Sequence, residues 1–213
     1  MKIALLGSTG FVGKVLLKRS LDEGYEIRAL VRDPDKLGEF KDKIEFIQGN
    51  IFQASDLEIT VKGTEAVLSV CGPPQRNPGN PKQYEQAMED LVAALKKQKI
   101  SRLITTGGAA HLGGRNEKWT IGRRLLRFFL LIVARPILVT KQLEWDVLKQ
   151  SNLDWTLVRP PQITKGNPTG KVLADESNLA RTKIDVADLV DFILEQISSD
   201  QWVRKAPLVA SGK

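Results

Sequence analysis

Met1-Lys-Ile-Ala-Leu-Leu-Gly7-Ser-Thr-Gly10-Phe-Val-Gly13-Lys-Val-Leu-Leu17 opens the chain, and its reading decides the fold. The apolar run 3–6 reads as a strand, a glycine-rich turn follows, and an amphipathic helix is expected from Phe11. Each glycine has a separate task. Gly7 permits the tight turn, Gly10 leaves room for a pyrophosphate to touch backbone, and Gly13 lets helix and strand pack closely. Ser8, Thr9, Phe11 and Val12 complete the loop and the helix start, whose free N–H groups would face phosphate. Three spaced glycines alone are a weak signal. The strand before them and the helix after them supply the context a dinucleotide site requires. The bland alternative is a tight turn with no ligand.

Outward from this unit, strand and helix patterns alternate. Strands are expected at 26–31, 44–48, 66–70, 102–105 and 155–158, with a last one at 207–210. A short helix is expected to start at Pro34 and Asp35, followed by helices at 56–61, 83–97 and 185–196. Asp185 is the expected N-cap of the last of these. Residues 123–150 read as helical in two parts, bent or broken at Pro136. The Pro-rich stretch after Cys71 reads as loop, and no repeat or low-complexity tail is present. The alternation predicts an α/β fold: a doubly wound parallel sheet (Rossmann fold) with helices on both faces and a small C-terminal substrate-side region. Residues 1–213 are expected to form a single dinucleotide-binding domain.

Composition narrows the partners. Thirty-two Lys and Arg against 25 Asp and Glu leave a net charge of +7, spread along the chain rather than clustered. That distribution disfavours nucleic acid, and an anionic dinucleotide accounts for part of the excess. The single cysteine, Cys71, excludes an internal disulfide and suits a reducing compartment, so a cytoplasmic location is expected. No signal peptide is expected, because the first strand starts at residue 2. No metal site is expected, since His111 is the only histidine. The apolar stretch 125–134 is too short to span a bilayer.

Arg32 stands just past the second strand, where an acidic residue would bind a ribose 2′-hydroxyl and an arginine suits a 2′-phosphate. Pro34 turns the chain before Asp33 can reach that ribose. NADPH is therefore preferred over NADH, with Lys14 and Arg28 as further sources of charge; a solvated surface arginine is the bland alternative. Asn50 and Ile51 follow the third strand, where adenine should lie, although Gly49-Asn50 can also be a simple turn. Val70, Cys71 and Gly72 end the fourth strand and should line the ribose and nicotinamide side. Cys71 reads as a packed residue rather than a nucleophile.

With these landmarks in place, the chain resembles the atypical short-chain dehydrogenase/reductase superfamily. It looks closest to the NAD(P)H-binding branch of NmrA-like proteins and the biliverdin reductase B/flavin reductase type. The resemblance rests on Gly7-Ser-Thr-Gly-Phe-Val-Gly, Arg28-Ala-Leu-Val-Arg-Asp-Pro, Arg102-Leu-Ile-Thr-Thr-Gly-Gly and Ile184-Asp-Val-Ala-Asp-Leu-Val. It rests also on the long segment from Lys141-Gln-Leu-Glu-Trp-Asp to Thr156-Leu-Val-Arg-Pro-Pro. It implies a catalytic or orienting hydroxyl at Thr105 and Thr106. It also implies a ribose-holding lysine at Lys141, and a nicotinamide-side wall at Pro160 and Ile163, with Gln162 as a polar contact. Arg159 could bind the cofactor or a buried carboxylate such as Glu144.

One departure matters most. Typical members pair that lysine with a tyrosine four residues earlier that transfers a proton; here the position holds Ile137. Tyr25 lies near a strand start and Tyr84 near a helix start, so neither substitutes naturally. His111 could donate a proton, although a lone histidine is more often a surface residue.

The resemblance then implies two main functions. One is hydride transfer from NADPH to a flavin, quinone or other conjugated acceptor without the usual tyrosine. The other is a non-catalytic, NmrA-like redox sensor that passes the cofactor's state to a protein partner; an epimerase-type or assembly-factor role is a more distant third. A monomer or homodimer is expected. The segment 123–135, apolar but carrying arginines, reads as a packed helix, or else as a lid, a dimer contact or a membrane-surface helix.

Overall fold

The computed structural model describes residues 1–73, 78–108, 128, 135–177 and 181–212. Six parallel strands form one sheet: β1 (Lys2–Leu6), β2 (Glu26–Val31), β3 (Glu45–Gln48), β4 (Ala66–Ser69), β5 (Arg102–Thr106) and β6 (Asp154–Val158). Their order is β3-β2-β1-β4-β5-β6, the doubly wound Rossmann arrangement. After β3 the chain crosses back to β4, which pairs with the other edge of β1. The order therefore reverses between β1 and β4, and the crevice opens beyond the carboxyl ends of these strands.

Strand side chains alternate between two cores, as a sheet buried on both faces requires. Ile3 and Leu5 point to one face, where α1 (Phe11–Asp22) supplies Leu16 and Leu17 and α5 (Val186–Glu195) supplies Leu189 and Ile193. Ala4 and Leu6 point to the other face. There α2 (Ala54–Val61) contributes Leu57, α3 (Pro81–Lys97) contributes Met88 and Leu91, and α4 (Arg135–Gln150) contributes Trp145 and Leu148.

Helix starts are written locally. Asn80 accepts from the Lys82 N–H at 3.0 Å with Pro81 at the first turn, and Asp185 accepts from the Ala187 N–H at 2.9 Å. Such caps contribute about 1 kcal/mol each. The chain after Arg32 forms a 3-10 segment, Pro34–Lys43, interrupted at Gly38. Pro136 belongs to the described helix α4; a bend between it and residues 123–134 lies outside the described residues, as does the character of that segment.

The C-terminal third adds four short strands: β7 (Gln162–Thr164), β8 (Val172–Asp175), β9 (Lys183–Asp185) and β10 (Leu208–Ser211). β8 pairs antiparallel with β10, and β7 pairs parallel with β9. The first three were not foreseen; strands of three or four residues are too short to show an alternation. Asp188 fastens this region, accepting from Ser211 Oγ at 2.5 Å and from the Thr169 and Gly170 N–H groups.

Candidate functional site

The glycine loop is shaped by close approach. Gly7 has φ +88°, and a Cβ there would lie 3.1 Å from both the Cys71 nitrogen and its Sγ. A Cβ on Gly13 would lie 1.9 Å from the Gly7 carbonyl oxygen, so only glycine lets α1 abut the loop. Helix α1 starts from Gly10 in an extended conformation and has no side-chain cap. Its first N–H groups, with the positive end of the helix dipole, are left for an anion. Ser8 is buried, and its hydroxyl has no hydrogen-bond partner among the described residues. An uncapped helix start beside an orphaned hydroxyl fits a pyrophosphate.

A cleft of about 490 Å³ opens at this point, within the range of small-molecule sites. Gly7, Thr9 and Gly10 form one wall, Asn50, Ile51 and Phe52 another, and Val70, Cys71 and Gly72 the end beneath β4. Arg32, Asp33 and Lys36 border the mouth. Asp33 caps the 3-10 segment by accepting from the Asp35 N–H at 3.2 Å, and pairs with Lys36 at 3.4 Å. Its carboxylate is thus engaged locally, while the exposed Arg32 faces the cleft.

A turn does follow β3, one residue later than Gly49-Asn50: the Gln53 N–H donates to the Asn50 carbonyl at 3.0 Å, Asn50 Oδ1 accepts from the Phe52 N–H at 3.2 Å, and Asp56 accepts from the Asn50 N–H at 2.9 Å. The same turn brings Asn50 and Ile51 to the cleft.

Two charge assignments change. Arg28 pairs with Glu45 at 2.8 Å and donates to the carbonyls of Ile59 and Lys62, so it braces β2, β3 and the end of α2. Lys14 is exposed on α1 and does not line the cleft. Phe11 is exposed beside the loop, whereas Val12 packs against the α1-side core.

Lys141 reaches the β4 end from α4. Its Nζ donates to the Cys71 carbonyl at 3.0 Å and to Glu144 Oε2 at 2.7 Å. The two side chains are only 11% and 8% exposed, which makes this a buried ion pair. Burial pushes the Glu144 carboxyl above its usual range, a rise that Lys141 partly offsets. Burial likewise raises the Cys71 thiol to about 11, which suppresses the thiolate a nucleophile would need.

Behind this wall lies a small cavity of about 30 Å³ that Cys71, Ser69, Thr105, Tyr84 and Glu144 help to line. Tyr84 also lines the dinucleotide cleft, its ring edge-on to Phe52 at 4.9 Å. Sequence reasoning did not place Tyr84 at the cleft. Asn80 and Pro81 start α3 so early that Tyr84 sits on its first buried turn; the capping signal Asn-Pro could have shown this.

Other expected contacts lie elsewhere. Thr105 faces the small cavity rather than the cleft, and Thr106 ends β5 opposite Val158, half-buried. Pro160 is buried and Ile163 packs on the core from β7; neither lines the cleft. Gln162 is exposed on the same strand. Arg159 is fully buried, with Nη1 donating to the Ala206 carbonyl at 3.3 Å, and Lys141 is the ion partner of Glu144. His111 lies outside the described residues. No described helix is long and apolar enough to cross a membrane.

Comparison with known proteins agrees with this geometry. The chain is 30% identical over 112 residues to the uncharacterised protein YwnB of Bacillus subtilis, an alignment covering 53% of this chain and 49% of YwnB. It spans about half the length of several curated relatives that it matches. Among solved structures, ChuY, an anaerobilin reductase from Escherichia coli, superposes with a TM-score of 0.82 at 18% identity, over 100% of this chain and 98% of ChuY. A Veillonella parvula short-chain dehydrogenase/reductase in complex with NADP superposes with a TM-score of 0.80 at 16% identity, over 99% and 94%. These two likenesses establish the fold. The family described as NAD(P)H-binding matches residues 7–200. The chain therefore belongs to the NAD(P)H-binding family.

Proposed function

We propose that this protein binds NADPH in preference to NADH and reduces a flavin, a quinone or another conjugated acceptor. When bound, the dinucleotide supplies hydride from its nicotinamide. The chain's own residues do the rest. The uncapped α1 start and Ser8 hold the pyrophosphate, Arg32 and Lys36 take the 2′-phosphate, and Asn50 and Ile51 meet the adenine. Val70, Cys71, Gly72 and Lys141 flank the ribose on the nicotinamide side. Thr106, at the end of β5, belongs to the acceptor side, with His111 as a candidate proton donor.

The observation that carries cofactor choice is the engagement of Asp33 by its own turn and by Lys36, beside an exposed Arg32 that lines the same cleft mouth. The choice of acceptor follows from Ile137: alcohol–ketone chemistry needs a positioned proton donor, whereas a conjugated acceptor can take its proton from solvent. ChuY, a reductase of the same fold, gives this reading an analogy at the level of fold.

A second reading, a redox sensor that distinguishes NADPH from NADP⁺ for a protein partner, draws on the same Ile137. Loss of NADPH absorbance with FMN, riboflavin or a quinone panel tests the first reading. Tight NADPH binding without turnover on any of these, and with a captured partner, would replace it with the second. Tighter binding of NADH than NADPH would remove the Arg32 assignment.

A further inference from the structure

Glu144 is a buried carboxylate that cofactor binding does not require in any obvious way. It stands between two spaces. On one side its partner Lys141 donates to the Cys71 carbonyl, with Nζ 3.7 Å from where a Cβ on Gly72 would sit, so the ammonium backs the cleft wall itself. On the other side Glu144 lines the cavity of about 30 Å³. A buried ion pair of this kind is a poor source of stability, since desolvation of two charges offsets their attraction. Its placement against a ligand wall asks for another reason.

We infer that Glu144 is a positioning residue of the dinucleotide site, which aims the Lys141 ammonium at the Cys71–Gly72 wall and takes up a proton when the dinucleotide binds. The inference rests on the NADPH-binding reading above, but not on turnover.

The dinucleotide brings several negative charges into a cleft whose wall touches the pair. A negative ligand stabilises Lys141 as the cation and disfavours the adjacent carboxylate. Burial already raises the Glu144 carboxyl, and the incoming negative charge acts in the same direction, drawing a proton from solvent to it. The carboxylate becomes a carboxylic acid, the Lys141 charge is left unneutralised, and the net charge behind the wall rises by one. Gln in place of Glu144 copies the protonated state and has nothing to titrate.

Few other groups compete. Among the described residues, Lys141 on the same helix acts on Glu144 directly. Cys71 from the end of β4 and Tyr84 from α3 face the same cavity, but burial raises both, keeping them protonated near neutrality. Arg32, across the cleft, acts on Cys71 and Tyr84. The 2′-phosphate of NADPH titrates by itself, and NADH, which lacks it, serves as the control.

The test uses the whole chain in weak buffer with a pH indicator, titrated with NADPH and separately with NADH, binding being followed by the fluorescence of the reduced nicotinamide. Wild type should take up a fraction of a proton per site, up to about one, with both ligands, and NADPH affinity should strengthen as pH falls, by up to about tenfold per unit. Glu144→Gln should bind NADPH with that component of the uptake gone. Lys141→Gln provides a second route: without the ammonium, burial acts on Glu144 unopposed, the carboxyl is raised further before binding, and the uptake should shrink. Uptake in E144Q equal to wild type, with binding intact, overturns this inference and leaves the NADPH reading standing. Failure of wild type to bind either ligand overturns both.

Discussion

The two ends of the dinucleotide cleft are built by opposite means. At the β1–β3 end the walls are backbone and exposed side chains: the Gly7–Gly13 loop, the Asn50 turn, and Arg32 and Lys36 at the mouth. At the β4 end the wall is backed by Lys141 and Glu144, which arrive from α4 some seventy positions further along and are almost wholly buried. The first end offers donors and charge to any dinucleotide at little cost, because its cations remain hydrated. The second keeps two ions out of water, which is expensive unless the site uses them. Recognition is therefore local and robust, whereas the β4 end is sensitive to single changes.

Gly13→Val should produce the largest effect. Its side chain would meet the Gly7 carbonyl, so the loop must move; loss of NADPH binding and a stability loss of about 3 kcal/mol or more are expected in urea denaturation. Retained binding would show that the loop is more compliant than its packing implies.

Lys141→Met should come next, leaving Glu144 buried without its cation and costing about 3 kcal/mol in the same assay. Replacing both, as K141M/E144L, should recover most of that loss while still weakening the β4 end. A double variant no more stable than the single one would mean that the pair is a net structural asset, and the contrast between the two ends would collapse.

Arg32→Ala should weaken NADPH binding about tenfold and leave NADH binding and stability nearly unchanged. An equal loss with both ligands would place Arg32 outside the 2′-phosphate contact.

The smallest effects are in pH dependence, where two carboxyls should act with opposite sign. Glu144 is raised in the folded state, so the stability it confers is full below its ordinary value of 4.5 and is lost as pH rises through its folded value. E144Q should therefore gain on wild type as pH climbs. Burial raises Asp188, but hydrogen bonds from Ser211, Thr169 and Gly170 outweigh it and leave the carboxyl below the ordinary value of 3.8. Its contribution is full above that value and fades as pH falls through the folded one. D188N should thus cost about 1 kcal/mol at neutral pH, a deficit that shrinks in acid. Parallel profiles for the two variants would contradict both assignments.

Much of this architecture was legible along the chain. The six sheet strands, and the helices from Phe11, Pro81 and Val186, lie within two residues of where the sequence puts them, because each signal is local: alternation, helical periodicity, an Asp cap, a Gly-rich turn. The strands β7 to β9 were not, since three residues carry no period and their pairing is set by partners far away. Arg28 misled for the same reason. Next to Arg32 in sequence terms it looked like a second phosphate ligand, and only the packing of β2 on β3 and α2 gives it to Glu45 and the carbonyls.

Sequence by itself determined that a dinucleotide would be held: glycines at 7, 10 and 13 between a strand and a helix act through backbone geometry within a few residues. Tertiary structure alone decided what stands around the cofactor's far end. It brought Tyr84 to the cleft on the first turns of α3, tied Asp33 into its own cap at the cleft mouth, and joined Lys141 to Glu144 beneath Cys71. Burial, ion pairing and shifted protonation depend on what elements pack against one another, and no stretch of sequence carries that alone.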